Sequence, residues 1–436
     1  MTWQLAIGGG VTLLLLLLLL GVPIFVAFLL LNVGGVLLMF GPAGFGMLAN
    51  SIYASATLSA LTAVPLFIAM GEILFRSGAM EVLFDSLDRL IGRIRGRQYI
   101  LCILLSAIVG ALSGAAMAVA GLLGRSLYPT MVQRGYDPKL SAGTILAGAS
   151  LDPIIPPSVL AILIATIAQI STGKLLVAGI VPGLLLTVMF LIYVAIRLHF
   201  DPSLAPDIAA EEVKARGSMV MAALNMVPSL FIFCLVMGLV ILGVATPTES
   251  AAIGVAGSVV LAACYGKLSS AMLHEALVSG VKVASLLLVI MCTATMFSQL
   301  LTFTGAPQAL GEIVTALKLP GWLMLTLMMG LPFVLFMFLD QVAIMLVLIP
   351  IYKPLLSIYG FDEIWFYTLF LVVATVGGIS PPFGYTLFAF KSAVPQVPTT
   401  EVFSAAWPFV WIIMLGLVLM ALFPPIVTWL PYISSP

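Results

Sequence analysis

The sequence predicts an all-α polytopic membrane protein made of two inverted repeats, and three observations support this. The chain has 436 residues, of which 62% are hydrophobic and only 8% are charged, whereas soluble domains carry about 25% charged residues. Several apolar runs reach the roughly 20 residues that a membrane-spanning helix needs. Prolines and glycines recur in the two halves at a nearly constant offset. A soluble enzyme, a disordered chain and a nucleic-acid binder are therefore excluded.

The first half begins with apolar helices and then becomes amphipathic. Two helices, at about 4–20 and 22–40, are separated by a Gly-Val-Pro break, and a third span covers 60–75. Residues 78–98 alternate apolar and charged side chains, which is typical of a helix that lies along the membrane interface. Two short apolar segments in 99–128 surround a small-residue tip. This pattern predicts a re-entrant hairpin.

The next helix, 139–171, is expected to break at membrane depth. It carries Pro156 and Pro157 in its middle, and a helix cannot continue through two adjacent prolines. A full span at 175–197 follows. The polar stretch after it is expected to be a cytoplasmic linker, whose end covers 211–217.

The second half is expected to repeat this order. We therefore place the first repeat at 1–210 and the second at 218–436. The predicted elements of the second repeat are spans at 218–243 and 246–264, an amphipathic piece at 267–279, an arm helix at 306–319, a hairpin at 320–357 and a broken helix at 363–392.

Matched helix breakers support the repeat. Asp137 and Asp362, Pro156 and Pro381, and Pro157 and Pro382 are each 225 residues apart. The arm helix of the first repeat carries several arginines, whereas its counterpart carries only Lys318. Positive residues favour the cytoplasm, so the first arm is expected there and the second arm in the periplasm. The repeats are then inverted, with about ten crossings and two hairpins.

Inverted repeats with helices broken at the midplane are typical of secondary transporters. Freed carbonyls and helix ends can bind sodium, and helix N-termini can bind an anion. An intramembrane enzyme would need a nucleophile and a base at spanning depth, or a metal motif, and the sequence offers neither, so we predict no catalytic residue. Its four cysteines and two histidines have no metal-ligand spacing, so no transition-metal site is predicted. An ion antiporter or channel, which would need no soluble partner, stays as the alternative.

An ordered set of short motifs resembles a known family, the large membrane (permease) subunit of TRAP transporters, also called DctM-like. The motifs are Gly21-Val22-Pro23-Ile24, Pro65–Gly71, Gly92-Arg93-Ile94-Arg95-Gly96, Gly110-Ala111-Leu112-Ser113-Gly114, Gly135-Tyr136, Ile154-Ile155-Pro156-Pro157-Ser158, Ser171-Thr172-Gly173-Lys174-Leu175, Ala178-Gly179-Ile180-Val181-Pro182-Gly183, Thr248-Glu249-Ser250-Ala251-Ala252 and Gly378-Ile379-Ser380-Pro381-Pro382-Phe383-Gly384.

The resemblance implies an elevator-type transporter in the bacterial inner membrane. It would import a small organic anion, typically a carboxylate, together with sodium ions and without an organic cofactor. A periplasmic substrate-binding protein and a small, DctQ-like membrane subunit of four helices would be its partners. In this family the sodium sites lie at the hairpin tips and the paired helix breaks. The first tip departs from the family pattern because alanines follow Gly114, and Asp152 stands where a small residue is more usual.

Candidate site residues follow from these positions. For sodium they are Gly110, Ser113, Gly114, Gly148, Ser150, Asp152, Phe338, Asp340, Gly377, Gly378 and Ser380. For the substrate anion they are Ser113, Arg125, Ser158, Ser380 and Thr386.

Ionisable groups at membrane depth have a structural alternative in each case. Asp152 and Asp340 either lie near sodium or accept hydrogen bonds from backbone N–H groups at a cap. Arg125 either clamps a carboxylate with its planar fork or extends to the interface. Glu249 is expected to cap a helix with Thr246 or Thr248, and Lys391 to extend toward the cytoplasmic face.

Overall fold

The computed structural model describes residues 4–92, 94–113, 116–207 and 219–434, with the side chains of 5–7, 111–113 and 307 left out. All regular elements in these ranges are helical, which confirms the predicted all-α class. Within these ranges, eight helical stretches are long and apolar enough to cross a membrane by length and composition. Residues 208–218, and with them the predicted linker, lie outside the described ranges.

The first half contains twelve α-helices among the described residues, preceded by a π-helical segment, Leu5–Val11. They are α1 (Thr12–Leu19), α2 (Ile24–Phe40), α3 (Phe45–Ala56), α4 (Ala63–Arg76), α5 (Ala79–Ile91), α6 (Arg97–Ser113), α7 (Ala116–Ser126), α8 (Tyr128–Gln133), α9 (Pro138–Ser150), α10 (Val159–Ala168), α11 (Thr172–Ala178) and α12 (Ile180–Phe200).

The second half contains ten more within the described ranges. They are α13 (Met219–Ile241), α14 (Pro247–Cys264), α15 (Ser270–Phe303), α16 (Ala306–Leu317), α17 (Gly321–Phe336), α18 (Gln341–Tyr359), α19 (Glu363–Ile379), α20 (Tyr385–Ala393), α21 (Thr399–Leu422) and α22 (Pro425–Ile433).

Both predicted broken helices are present. The chain leaves the helix after Ser150 and resumes at Val159, and it leaves again after Ile379 and resumes at Tyr385. The Pro156-Pro157 and Pro381-Pro382 bonds are both cis. Each first half-helix starts in the same way, because an aspartate accepts a hydrogen bond from the backbone N–H three residues later. These aspartates are the predicted pair Asp137 and Asp362.

Several predicted boundaries were wrong. The arm helix 78–98 ends at Ile91, because Gly92 has a φ of +67° and a new helix starts at Arg97. Helix α3 was not predicted. The piece at 267–279 is continuous with the next span in a single 34-residue helix, α15, which has no internal proline.

The span predicted at 175–197 is divided into α11 and α12. They meet at Gly179, where a Cβ atom would lie 2.2 Å from the Ile154 carbonyl oxygen. This glycine therefore lets the helix junction approach the backbone of the first break.

The two hairpins and the two broken helices form the buried centre of the protein. All residues of α19 from Ile364 to Ile379 are buried. The return arm of each hairpin packs on the second half-helix of the other repeat. In one contact the Tyr128 and Phe390 rings are 5.3 Å apart; in the other, Lys353 Nζ donates to the Ala168 carbonyl over 2.7 Å.

Polar contacts connect segments that are distant along the chain. The Tyr99 hydroxyl donates to the Leu204 carbonyl over 2.6 Å, and Arg95 forms an ion pair with Asp207 at 3.2 Å. These segments were assigned to the cytoplasm. A second group connects the C-terminal helix α22 to the starts of α11 and α19, because the Tyr432 hydroxyl donates to Asp362, and Lys174 Nζ lies 5.6 Å from the centre of the Tyr432 ring.

Candidate functional site

The first hairpin tip meets the first helix break at Asp152. The Ala116 backbone N–H, at the start of the return arm, donates to Asp152 Oδ2 over 2.9 Å. Gly110 lies on the other arm, where a Cβ atom would be 3.2 Å from Asp152 Cβ. The Asp152 side chain is buried, and its Oδ1 atom has no hydrogen-bond partner among the described residues. A buried carboxylate oxygen therefore faces the tip of the hairpin without a described donor.

The remaining predicted residues of this first site have mixed placements. Gly148 packs on α6, where its Cβ atom would lie 2.4 Å from the Ser106 side chain. The Ser150 hydroxyl donates to the Ala147 carbonyl over 2.7 Å. Gly114 and the Ser113 side chain lie outside the described part of the chain.

The second tip meets the second break through Phe336 and Gln341. A Cβ atom on Gly377 would lie 2.4 Å from Phe336 Cβ and 3.2 Å from its carbonyl oxygen. The Gln341 amide, which is buried, donates to the Ala374 carbonyl. The tip ring of Phe338 lies 6.2 Å from that of Phe383. Both hairpins are thus held against a broken helix of their own repeat.

Asp340 occupies the N-cap of α18. One of its oxygens accepts from the Val342 N–H over 2.9 Å and from the Ala343 N–H over 3.2 Å. These bonds fit the capping alternative, and the side chain stays exposed at the tip. A second role toward sodium would use the other carboxylate oxygen.

Tyr385, which was not among the predicted residues, lies at the second break. Its side chain is next to the Gln341 amide. A Cβ atom on Gly378 would lie 2.9–3.0 Å from atoms of its ring. The sequence did offer a signal for this residue, because a polar aromatic side chain stands at the start of an otherwise apolar half-helix. Gln341, a polar residue just after the second tip, was a similar signal.

Three of the predicted substrate hydroxyls are buried at the breaks. The Ser158 hydroxyl donates to the Pro153 carbonyl and accepts from the Ala161 N–H over 3.2 Å. Ser380 donates to the Val376 carbonyl over 2.8 Å, and Thr386 donates to the Gly378 carbonyl. In this conformation each of the three hydroxyl groups therefore donates its hydrogen bond to a backbone carbonyl.

The other charged groups lie away from the tips. Arg125 is exposed near the end of α7, and its Nε donates to the Gly121 carbonyl over 3.4 Å. Glu249 caps α14, since it accepts from the Thr246 N–H over 2.8 Å while Thr246 Oγ1 accepts from the Glu249 N–H; that prediction is confirmed. Lys391 Nζ donates to the Pro395 carbonyl over 2.7 Å.

Comparison with known proteins points to a single family. The family model "Tripartite ATP-independent periplasmic transporter, DctM component" matches residues 11–426. The C4-dicarboxylate TRAP transporter large permease protein DctM of Pseudomonas aeruginosa is 30% identical over 398 residues, which is 91% of each chain. The ectoine TRAP transporter large permease protein TeaC of Halomonas elongata is 28% identical over 417 residues, 95% of this chain and 96% of that one.

A third relative is a sialic acid transporter. The permease protein SiaT of Haemophilus influenzae is 26% identical over 379 residues, 86% of this chain and 60% of that longer protein. Among solved structures, the YdaH transporter of Alcanivorax borkumensis matches 91% of each chain with a TM-score of 0.63 and 18% identity. MtrF of Neisseria gonorrhoeae matches 88% of this chain and 84% of its own with a TM-score of 0.59 and 14% identity. These two likenesses describe the fold alone.

Proposed function

Because the chain belongs to the DctM component family of tripartite ATP-independent periplasmic transporters, we propose that it imports a small organic anion, a carboxylate, together with sodium ions. It is a membrane-embedded permease of a secondary transporter, not an enzyme. Large permeases of this family work with a periplasmic substrate-binding protein and a small membrane subunit. We place this chain in a bacterial inner membrane, where the binding protein delivers substrate from the periplasm.

The observation that carries the proposal is the pairing of a hairpin tip with a helix break in each repeat. At the first pair, Asp152 offers a buried carboxylate oxygen with no partner in the described ranges. At the second pair, α19 ends at Ile379, so the carbonyls of its last turn have no partner within the helix, and Gln341 donates to the Ala374 carbonyl just before that turn. Oxygen atoms of these kinds are the ligands that hard cations such as sodium prefer.

The substrate anion would lie between the two pairs, close to Tyr385. Helices α10 and α20 begin at the two breaks, and helix N-termini attract negative charge. Ser158, Ser380 and Thr386 supply hydroxyl groups at the two breaks. The acids in the names of two relatives, C4-dicarboxylate and sialic acid, belong to those proteins but support a carboxylate substrate.

Coupling between sodium and substrate has a simple route at the second break. The Thr386 hydroxyl donates to the Gly378 carbonyl, which is also a proposed sodium ligand. A sodium ion on that oxygen would compete with the hydroxyl proton. The Thr386 hydroxyl would then donate its hydrogen bond to a substrate carboxylate instead of to the Gly378 carbonyl. Substrate binding would therefore strengthen once sodium is bound.

Transport would follow an elevator movement of the hairpin core past a fixed frame. The frame helices are bound to one another: Asn32 on α2 donates to the Thr293 carbonyl on α15 over 2.6 Å. Ser279 on α15 donates to Glu72 on α4 over 3.1 Å. The core consists of the hairpins, the broken helices and the helices packed on them.

The test is uptake into proteoliposomes that contain this chain and its small subunit. We expect uptake of labelled substrate only when the binding protein and an inward sodium gradient are both present. A matched potassium gradient and an unrelated binding protein are the controls. Sodium flux without the soluble partner would instead favour the ion antiporter or channel.

A further inference from the structure

A membrane-facing groove lies between the start of α6 and the second half of α12. We call it the α6–α12 groove; its volume is about 540 Å³. Its floor is apolar, with Ile100, Leu191 and Val194 among the lining side chains. Val188 and Ile192 line it too and are half exposed. The groove is therefore an apolar surface that opens toward lipid.

The groove has the depth of one lipid leaflet. The apolar part of its α12 lining runs from Val188 to Leu198, a separation of ten helical steps, which is about 15 Å along a helix. The hydrocarbon core of a bilayer is about 30 Å thick. A single acyl chain that lies in the groove would thus be in contact with α12 over the depth of its own leaflet.

One end of the groove is basic. Arg95 and His199 line it there, in a segment that the arginine distribution assigns to the cytoplasmic side. Arg95 Nη2 donates to the Ala205 carbonyl over 3.3 Å and is 3.2 Å from Asp207 Oδ1. Its Nε atom is shielded from solvent and has no hydrogen-bond partner in the described ranges. An ion pair as exposed as Arg95–Asp207 is weak, so a phosphate can compete for this guanidinium.

We propose that the α6–α12 groove binds an anionic phospholipid of the cytoplasmic leaflet. One acyl chain occupies the apolar floor, and the phosphate accepts hydrogen bonds from the Arg95 guanidinium, in competition with Asp207, and from the His199 ring. Charge complementarity selects this occupant, since basic groups at the cytoplasmic end of an apolar groove suit a lipid with a negative headgroup. The exposed Phe200 ring, next to His199, lies at the level where aromatic residues favour the membrane interface.

The site connects the base of the first hairpin with α12, and the two would have to move together during transport. Ile94 and Arg95 belong to the connection between the arm helix α5 and the hairpin arm α6, whereas His199 belongs to α12. Gly96 makes the approach close: its φ is +75°, and a Cβ atom would be 2.2 Å from Leu198 Cδ1. A bound lipid would fasten the base of the first hairpin to α12, and would therefore tune the stability of the hairpin core.

The test measures thermal unfolding of the purified permease with its small subunit. We compare added phosphatidylglycerol with phosphatidylcholine of the same acyl chains. We expect phosphatidylglycerol to raise the unfolding midpoint by about 2–4 °C more than phosphatidylcholine. Ala195→Trp, which fills the groove from its exposed rim, and His199→Leu, which removes a donor, should each reduce that difference. The control Ile196→Trp places the same ring on the adjacent lipid-facing position outside the groove.

A second measurement locates the lipid. Phosphatidylglycerol with a photoreactive acyl chain should label a peptide that contains Val188–Leu198, and Ala195→Trp should lower this labelling while Ile196→Trp does not. An equal phosphatidylglycerol effect in all variants, with labelling unchanged by Ala195→Trp, would overturn the proposal. So would protection of an Ala195→Cys thiol by the small subunit, because the groove would then be a protein interface.

Discussion

The two carboxylate oxygens of Asp152 have different surroundings. One carboxylate oxygen accepts a backbone hydrogen bond from the hairpin tip, and the other has no described partner. A buried charge without compensation costs several kcal/mol. A sodium ion at the unpaired oxygen would provide that compensation.

Asp152→Asn tests this role while it preserves the shape of the side chain. The amide oxygen can still accept from the Ala116 N–H, but the negative charge is lost. We expect the sodium concentration for half-maximal uptake to rise about tenfold or more, because cation affinity depends on ligand charge. Uptake measured against sodium concentration is the readout.

The matched control is Asp137→Asn at the start of α9. Asp137 caps a helix through one hydrogen bond to the Leu140 N–H, and asparagine is an equally good N-cap. That variant should keep the parental sodium dependence. An unchanged sodium dependence in Asp152→Asn would leave the carboxylate with a structural role only.

Arg125 is distant from the tip on its own helix. It follows Ala116 by nine residues, which is about 14 Å along the helix axis, and its side chain is exposed. We expect Arg125→Lys to keep the parental KM for substrate, since lysine retains the charge that an exposed interfacial residue needs. A sharp rise in KM with intact folding would instead show that the Arg125 guanidinium group binds the substrate.

Glycines form the seam between each hairpin and its broken helix. Gly110 and Gly148 bring α6 against the first break, and Gly377 brings α17 against the second. In all three cases a Cβ atom would lie 3.2 Å or less from a neighbouring side chain or backbone atom. The seam is therefore made by the absence of side chains, and interiors packed this closely do not accept extra atoms without displacement.

Gly377→Ala should separate the second tip from its break. The new methyl group would lie 2.4 Å from Phe336 Cβ, so either the hairpin moves or the protein loses roughly 1–3 kcal/mol of stability. We expect sodium-driven uptake to fall by about tenfold or more, since the carbonyls and the tip would no longer converge. Uptake and the thermal unfolding midpoint are measured together.

Gly330→Ala on the same hairpin is the control for that substitution. Nothing lies within 4 Å of a Cβ atom there, and alanine favours a helix over glycine by about 1 kcal/mol. This variant should be at least as stable as the parent and equally active. Equal activity of the two alanine variants would argue against a seam that must stay closed.

The whole molecule is expected to place its two arm helices on opposite sides of the membrane. The prediction depends on arginines around α5 and a single lysine at the end of α16. Ser86 is buried and so unsuitable for labelling, whereas Asp85 and Gln308 are exposed. A cysteine at Gln308 should react with an impermeant thiol reagent from outside, and one at Asp85 should react only after the membrane is opened. Labelling of both from the same side would end the inverted arrangement.

What the sequence by itself determined was the membrane class, the two broken helices and the family. Hydrophobic length, adjacent prolines and charge asymmetry act locally, so each can be seen along the chain without knowledge of what it packs on. The positions of Gly110, Gly148, Gly377, Asp152 and Asp340 near tips and breaks followed from the same patterns and from the resemblance.

Only the tertiary structure decided which groups meet. It brought Ala116 to Asp152, Gln341 to Ala374, and Tyr385 to Gly378. It also ended the arm helix at Gly92, fused α15 into one helix and left Arg125 exposed far from the tips. These outcomes depend on contacts between residues distant along the chain, and a single sequence holds no local signal for such contacts because packing, not propensity, sets them.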